Sequence, residues 1–286
     1  MKAEPWSAAL CAPIFDALRP WLSRLPSGRF PRHDDLNALT RPLIVSGGGT
    51  PIHFVPPAAA REASAQYEVR IFETGEVQTR PDNWHDLFNA LVWLAFPKTK
   101  AVLNRHHYEQ IRARSAETQR GTARDVLTLF DEGGVVVATP DATLSALLKD
   151  FKWKELFWVR RADVRRDMRF HVFGHAIYEK ALEPYKGVTA KALIVAVPRG
   201  LMDASTEQQL AEIDARAARY FSLCRTRTRC FGASCTPTRS IPTGARSSTT
   251  IISAADGSTR CWKRTASSRS SMASANVTAP AWRWWR

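Results

Sequence analysis

Three polar side chains cluster at the start of a predicted helix in the stretch NWHDLFNALVWLAF. His85 and Asn89 are four residues apart and share one helix face, and Asp86 follows His85 directly. A histidine beside a carboxylate can act as a general base with its orienting group, and both side chains are common metal ligands. We therefore predict catalytic roles for His85 and Asp86 and a substrate contact for Asn89. Asp86 also lies three residues after Asn83, so helix capping is the alternative for this carboxylate.

A second cluster lies in the stretch FGHAIYEKALEPYKG. His175 and Glu179 follow Gly174, which permits a tight turn from a strand into a helix, and their spacing of four places them on one helix face. We predict that both residues are catalytic, alone or with a divalent metal. The alternative is a core histidine with a surface glutamate. Three further donors nearby are predicted to bind a phosphate or carboxylate, or else to form a solvated helix end: Lys180, Tyr185 and Lys186.

The first cluster requires a helix that ends before Pro97, since proline breaks the hydrogen-bond ladder. Asp82 or Asn83 can cap this helix, and a second helix is predicted to restart after Pro97. The second cluster requires a strand that includes His171 and ends at Gly174. Further downstream, KALIVAVP suits a buried strand, and Ser205 with Gln208 forms a capping box that opens another helix.

Turn signals predict two hairpins and one more strand. YEVRIFETGEVQTR alternates around Thr74-Gly75, and DVLTLFDEGGVVVAT surrounds Gly133-Gly134. ELFWVRR is predicted to be a strand, and PDATLSALLKDF a helix with Thr139 as its cap. Strands and helices mix without strict alternation, so the predicted fold class is α+β, a mixed sheet with hairpins and flanking helices.

The stretches NWHDLFNALVWLAFPKTK (Asn83–Lys100) and FGHAIYEKALEPYKGVTA (Phe173–Ala190) resemble a bacterial family known only as domain of unknown function 3025. YEVRIFETGEVQTRP and LTLFDEGG are similar to the family as well, so the likeness spans roughly residues 50–200. The family has no established activity. The resemblance implies a soluble bacterial protein with an ordinary, partly acidic C-terminal part, and it leaves the chemistry open.

The composition changes near residue 222. Ten of the fourteen net positive charges and four of the five cysteines lie in the tail, residues 223–286, where Asp256 is the one acid. Shifting the reading frame would convert its Thr and Cys codons into those of acidic, polar and apolar residues, so we predict a frame error near residues 222–226. The alternative is a genuine disordered basic arm that binds phosphates. We expect one α+β domain over residues 1–222, followed by a disordered, low-complexity basic tail over residues 223–286.

Three function classes remain open. We favour a hydrolase, with or without a divalent metal, that acts on a phosphorylated or acidic small molecule. The alternatives are a non-enzymatic binding protein with an exposed tryptophan patch and, if the tail is genuine, a nucleic-acid-binding protein. We expect no membrane partner, because no stretch of about 20 apolar residues occurs. With Cys11 as the one cysteine before the tail, a reducing cytoplasmic location is expected.

Overall fold

The computed structural model describes residues 6–57, 64–113, 122–185, 187–224, 251–255 and 258–260. Helices predominate in it, and the strands form one parallel sheet and one mixed sheet. The chain is therefore α+β, as its sequence predicts. None of the described helices is long and apolar enough to cross a membrane. The α-helices are α1 (Arg19–Leu22), α2 (His33–Asn37), α3 (Ser64–Thr74), α4 (Trp84–Ala95), α5 (Pro97–Ala113), α6 (Thr122–Gly133), α7 (Ala142–Lys149), α8 (Arg161–Asp167), α9 (His175–Leu182) and α10 (Thr206–Cys224). Shorter 3-10 helices span Trp6–Cys11, Pro13–Leu18 and Arg199–Asp203, and a π-helix spans Glu155–Val159.

The strands form two separate sheets. They are β1 (His53–Val55), β2 (Glu76–Gln78), β3 (Gly134–Thr139), β4 (Arg169–Val172), β5 (Lys191–Ala196), β6 (Ile251–Ala255) and β7 (Ser258–Arg260). β1 and β2 pair in parallel. The larger sheet has the order β4-β3-β5-β6-β7, and β3 pairs antiparallel with β4 but parallel with β5. This mixture of directions matches an α+β fold rather than an alternating one.

The larger sheet separates two apolar cores, because side chains of a strand alternate between its faces. Val136 and Leu193 face the main core, into which α4 and α10 pack. Val137 and Ile194 face the smaller core, which is closed by α7 and by Leu156 of the π-helix. The site elements α4 and α9 belong to the main core.

The predicted helix pair α4–α5 is confirmed. The side chain of Asn83 accepts a hydrogen bond from the Asp86 backbone N–H at 3.0 Å and so caps α4. Pro97 begins α5, where its missing N–H costs nothing. The next two free N–H groups, those of Lys98 and Thr99, donate to the carboxylate of Asp214 on α10 at 3.0 and 2.8 Å. A distant helix thus caps α5.

The hairpin predicted at Thr74-Gly75 is wrong: its first arm is the helix α3. Gly75 has the positive φ that the turn signal requires, +76°, but it ends a helix, and its N–H donates to the Ile71 carbonyl at 2.9 Å. A Cβ at Gly75 would lie 1.9 Å from the carbonyl oxygen of Pro51, so glycine is also required by close packing. Helix ends and hairpin turns share this residue type, and the helix α3 buries Ile71 in the main core.

The hairpin predicted at Gly133-Gly134 is wrong for a related reason. Its first half is α6, which buries Leu127 and Phe130 at helical spacing, and only its second half is a strand, β3. Gly134 lies against Phe130, whose carbonyl oxygen would be 2.5 Å from an added Cβ. The two glycines therefore join a helix to a strand at close quarters.

Two further predictions fail locally. ELFWVRR forms the π-helix and the start of α8 instead of a strand, since a short apolar run fits either state. The helix α7 is capped by Asp141, whose carboxylate accepts from the N–H groups of Thr143 and Leu144, and Thr139 ends β3. The predicted capping box of α10 is confirmed by reciprocal hydrogen bonds between Ser205 and Gln208.

The basic tail predicted over residues 223–286 lies mostly outside the described residues. Within it, β6 pairs in parallel with β5, and β7 pairs antiparallel with β6. The larger sheet thus includes backbone from this part of the chain.

Candidate active site

His85 and His175 meet where α4 packs against α9. Their Nε2 atoms lie 3.0 Å apart, and the two rings cross at 81° with centroids 4.5 Å apart. His85 is the second residue of α4, fixed by the Asn83 cap, and His175 is the first residue of α9. The predicted turn from a strand into a helix at Gly174 is confirmed, and three residues of the two predicted clusters come together, namely His85, His175 and Glu179.

Gly174 permits this placement because no side chain would fit at its position. An added Cβ would lie 2.4 Å from the carbonyl oxygen of Glu132 and 2.5 Å from the backbone nitrogen of Gly134. The Gly174 N–H also donates to the Gly134 carbonyl at 2.8 Å. The start of α9 is thereby held against the junction of α6 and β3, which sets the position of His175.

A carboxylate lies beside the Nδ1 atom of each histidine. Glu179, one turn after His175, accepts from Nδ1 of His85 at 2.8 Å. Asp131 of α6 places Oδ2 at 3.8 Å from Nδ1 of His175, too far for a direct hydrogen bond but close enough to favour a proton there. The side chains of Glu179 and His85 are 47% and 35% exposed, whereas that of His175 is 8% exposed. The site therefore opens to solvent at Glu179 and runs inward.

A buried lysine continues the network behind His175. Lys100 Nζ donates to both carboxylate oxygens of Asp131 at 2.7 and 3.0 Å and to Oδ1 of Asn89 at 3.0 Å. The amide of Asn89 in turn donates to the hydroxyl of Tyr67 at 3.0 Å. A chain of polar side chains, in which the 3.8 Å contact between His175 and Asp131 is the one link longer than a hydrogen bond, thus connects the solvent-exposed carboxylate to the main core.

Burial and neighbouring charges set the protonation of the inner groups. Burial lowers the pKa of His175 to about 4, and Lys100 adds to this effect, while Asp131 opposes it. Burial raises the pKa of the Asp131 carboxyl, but Lys100 and His175 outweigh it, so the net pKa lies below its ordinary value. At neutral pH His175 is therefore uncharged and Asp131 is ionised. Burial raises the pKa of Tyr67, which keeps its proton.

These charges constrain the contact between the rings. If both Nδ1 atoms carry protons directed at carboxylates, both Nε2 atoms present lone pairs to each other at 3.0 Å. That arrangement is repulsive unless a cation lies between them. The repulsion is removed when one Nε2 atom carries a proton that it donates to the other. Behind the rings, the ammonium of Lys100 balances the carboxylate of Asp131.

Asp86 does not join this cluster. Its carboxylate accepts from the backbone N–H, Nε and Nη2 of Arg80, each at 2.8 Å. Burial raises the pKa of Asp86, but Arg80 lowers it further, so the net pKa lies below its ordinary value. This bidentate pair fixes the segment that precedes α4, so the Asp86 side chain is bound to Arg80 rather than to the backbone of Asn83.

The predicted substrate contacts are dispersed. Asn89 is engaged on both sides by Lys100 and Tyr67, as described above. Lys180 is exposed beside Glu179, and the side chain of Tyr185 is 55% exposed. Lys186 lies outside the described residues.

The comparisons with known proteins give one match. The model of the family described as "Protein of unknown function (DUF3025)" matches residues 52–243, about two thirds of the chain. The chain belongs to this family. No curated protein and no solved structure matches. The match extends past residue 222, where the tail was predicted to begin, and it contains every residue of the polar chain from Tyr67 to Glu179.

Sequence reasoning missed three inner members of this DUF3025 site: Tyr67, Lys100 and Asp131. A signal existed for Lys100, which shares a helix face with the buried Leu103 and Asn104. A lysine on an apolar helix face needs a buried partner. Asp131 lies in the stretch predicted as a hairpin around Gly133-Gly134, and placing it on the face of α6 requires recognising that helix first.

The described part of the DUF3025 chain contains no group of three or more His, Cys, Asp or Glu side chains arranged to hold a metal ion. The two Nε2 atoms are two ligands, whereas catalytic zinc takes three from the protein.

A pocket of about 180 Å3 is lined in part by Arg80, the residue that pairs with Asp86. Its charged side chains are Arg29, Arg32, Arg80 and Asp82.

Proposed function

We propose that the protein is a hydrolase of a phosphorylated or acidic small molecule, with His85 as its general acid-base. The observation that carries this proposal is the contact between two histidine Nε2 atoms flanked by two carboxylates. Histidine is the side chain that most often transfers protons near neutral pH. A proton held between two rings is poised for such transfer.

Each residue of the cluster has a distinct role in this proposal. His85, at the exposed end, exchanges its Nε2 contact with His175 for the substrate, takes a proton on Nε2 from the attacking water and gives that proton to the leaving group. Glu179 holds the Nδ1–H of His85 and stabilises the imidazolium, as the carboxylate of a catalytic triad does. His175 accepts at Nε2 and orients the ring of His85. Asp131 and Lys100 fix the tautomer of His175.

The substrate class follows from the charges near the opening. The pocket beside Arg80 is lined by three arginines and one aspartate, and Lys180 is exposed next to Glu179. Arg29 and Arg80 are paired with Asp35 and Asp86, so Arg32 and Lys180 carry the positive charge on which this proposal rests. Guanidinium groups bind phosphates and carboxylates through paired hydrogen bonds. An anionic group bound there would lie against Arg80, which pairs with Asp86 in the first turn of α4.

A metal-assisted form is the second candidate, because two Nε2 atoms that face each other could also bind a divalent cation. The same DUF3025 site supplies two such ligands in its described part, so we favour the proton over the metal.

The test is an activity screen of the full chain with model substrates. The panel contains p-nitrophenyl phosphate, bis(p-nitrophenyl) phosphate and an acidic p-nitrophenyl ester, with and without Zn²⁺ and Mg²⁺. His85→Gln is expected to lower kcat by about 10²- to 10⁴-fold, the usual contribution of a general acid-base. Glu179→Gln is expected to give a smaller loss, also in kcat.

The matched control is His53→Gln, since His53 is exposed and lies in β1, outside the cluster. Activity equal to wild type in His85→Gln would reject the assigned role. Failure to turn over any panel member, together with no binding of inorganic phosphate in calorimetry, would reject the hydrolase proposal and favour a binding protein. Activity that depends on added metal would favour the second candidate.

We also propose a bacterial, cytoplasmic origin and a frame error near residues 222–226. The free, exposed Cys11 supports a reducing compartment, and the family resemblance supports the source. The sudden loss of acidic residues after residue 222 supports the frame error. Sequencing the coding DNA tests it: an uninterrupted frame through the tail, shared by independent isolates, would make the tail genuine and reopen nucleic-acid binding.

A further inference from the structure

The π-helix exposes three consecutive apolar side chains. Leu156 is fully buried, but Phe157, Trp158 and Val159 are 39%, 63% and 60% exposed. Trp153, which is 43% exposed, stacks on Phe157 at 6.1 Å with the ring planes 11° apart. We call these four exposed residues the aromatic ridge. Runs of exposed apolar residues are avoided on ordinary protein surfaces, so this surface is suited to an apolar environment.

The fold holds the ridge outward. Leu156 is anchored in the smaller core, and its N–H donates to the Lys152 carbonyl at 2.8 Å. Phe151, just before the ridge, has a φ of +56°, a left-handed conformation that is strained for a bulky side chain. Such strain persists only where the surrounding structure enforces it, and it is concentrated at functional sites. The ridge cannot turn inward without removing Leu156 from its core.

Positive charge surrounds the ridge. Seven basic and three acidic side chains occur between Lys149 and Arg166. Lys152 and Lys154 flank Trp153, both are exposed, and their ammonium groups have no ion pair among the described residues. Arg160, which follows Val159, is paired with Asp163.

We propose that the aromatic ridge and its lysines bind the surface of an anionic membrane, with the ridge in the interfacial region and the lysines on acidic headgroups. Aromatic residues beside lysines are typical of proteins that lie on a membrane without crossing it. This departs from the expectation of no membrane partner, which rested on the lack of a spanning segment. The inference is independent of the proposed hydrolase.

A single-stranded nucleic acid fits the ridge less well. Nucleic-acid platforms need free ring faces for base stacking. Trp153 uses one face on Phe157, and Val159 has no ring. An aliphatic side chain that is 60% exposed between aromatic and basic residues suits acyl chains better than bases.

The test is flotation of the full chain with vesicles of phosphatidylcholine alone or mixed with phosphatidylserine. We expect binding to the mixed vesicles, weakened by salt, and little binding to phosphatidylcholine. The double variant Phe157→Ser/Trp158→Ser is expected to lower binding at least about tenfold. Its control is Leu43→Ser, an exposed apolar residue (66%) distant in sequence from the ridge.

A second double variant, Lys152→Ala/Lys154→Ala, tests the contribution of charge. It is expected to weaken vesicle binding about 30-fold at low salt. Its control is Arg24→Ala, an exposed arginine elsewhere. Circular dichroism and thermal melting of every variant establish that it is folded.

Three outcomes would each overturn the proposal: equal binding to both vesicle types, unchanged binding of the ridge variant, or displacement of the protein from vesicles by oligothymidine at stoichiometric amounts. A dimer in solution that the ridge variant converts to monomer, without any lipid binding, would also overturn it.

Discussion

The Nε2 atoms of His85 and His175 lie 3.0 Å apart, although ninety residues separate the two histidines in the chain. Each ring has a carboxylate near its Nδ1 atom, Glu179 on one side and Asp131 on the other. One Nε2 atom must therefore carry a proton and donate it to the other. This requirement links the packing of α4 against α9 to the protonation of the two rings.

The first prediction concerns the tautomer of His175. Because ionised Asp131 favours a proton on Nδ1, neutral His175 is expected to carry its proton there at pH 7 and to leave Nε2 as an acceptor. Nitrogen-15 NMR of the imidazole ring measures this directly. Asp131→Leu removes the carboxylate and is expected to shift the population toward the Nε2–H form. A wild-type His175 protonated on Nε2 would contradict the shared-proton arrangement.

The second prediction concerns the buried pair of Lys100 and Asp131. Lys100→Met is expected to lower the free energy of unfolding by about 3–5 kcal/mol, since it leaves a buried carboxylate without its partner. Adding Asp131→Asn is expected to recover more than half of the loss. Urea titration measures both values. The exposed Lys154→Met serves as control, with an expected change under about 0.5 kcal/mol.

The third prediction concerns Gly174. Gly174→Ala is expected to destabilise the protein by about 1–3 kcal/mol, because its methyl group would overlap the Glu132 carbonyl and displace the start of α9. The control is Gly200→Ala, where an added Cβ meets no atom within 4 Å. Thermal melting compares the two variants. Equal melting temperatures would show that the junction of α6 and β3 relaxes freely.

The fourth prediction concerns stability in acid. Burial, with Arg169 nearby, lowers the pKa of His171 from 6.5 to about 4, and burial lowers that of His175 similarly. The unfolded chain therefore binds more protons than the folded one between these values, and stability falls as the pH drops from about 6.5 to about 4. Each histidine contributes about 3 kcal/mol to this loss.

His171→Phe is expected to remove about half of the histidine contribution to that loss, while His53→Gln, at an exposed position, is expected to leave the profile unchanged. Urea titrations at several pH values across this range provide the measurement. An unaltered pH profile in His171→Phe would mean that its ring is already charged or solvated in the folded protein.

The sequence predicted the outer part of the site because its signals are local. Helix spacing placed Glu179 one turn after His175, and the proline after α4 marked the helix boundary correctly. The inner part depends on tertiary contacts: Asp131 joins the site only because α6 is a helix. Gly75 and Gly133 gave turn signals that helix ends share, so the local pattern could not separate the two states.

The cap that Asp214 provides for α5 also has a consequence for biosynthesis. The N–H groups of Lys98 and Thr99 receive their partner from a helix more than a hundred residues downstream. While the chain emerges from the ribosome, the turn that carries Lys100 remains uncapped until α10 has been made. The polar interior of the site is thus completed near the end of translation of this region, and a nascent chain that stalls before α10 would expose it to chaperones and proteases.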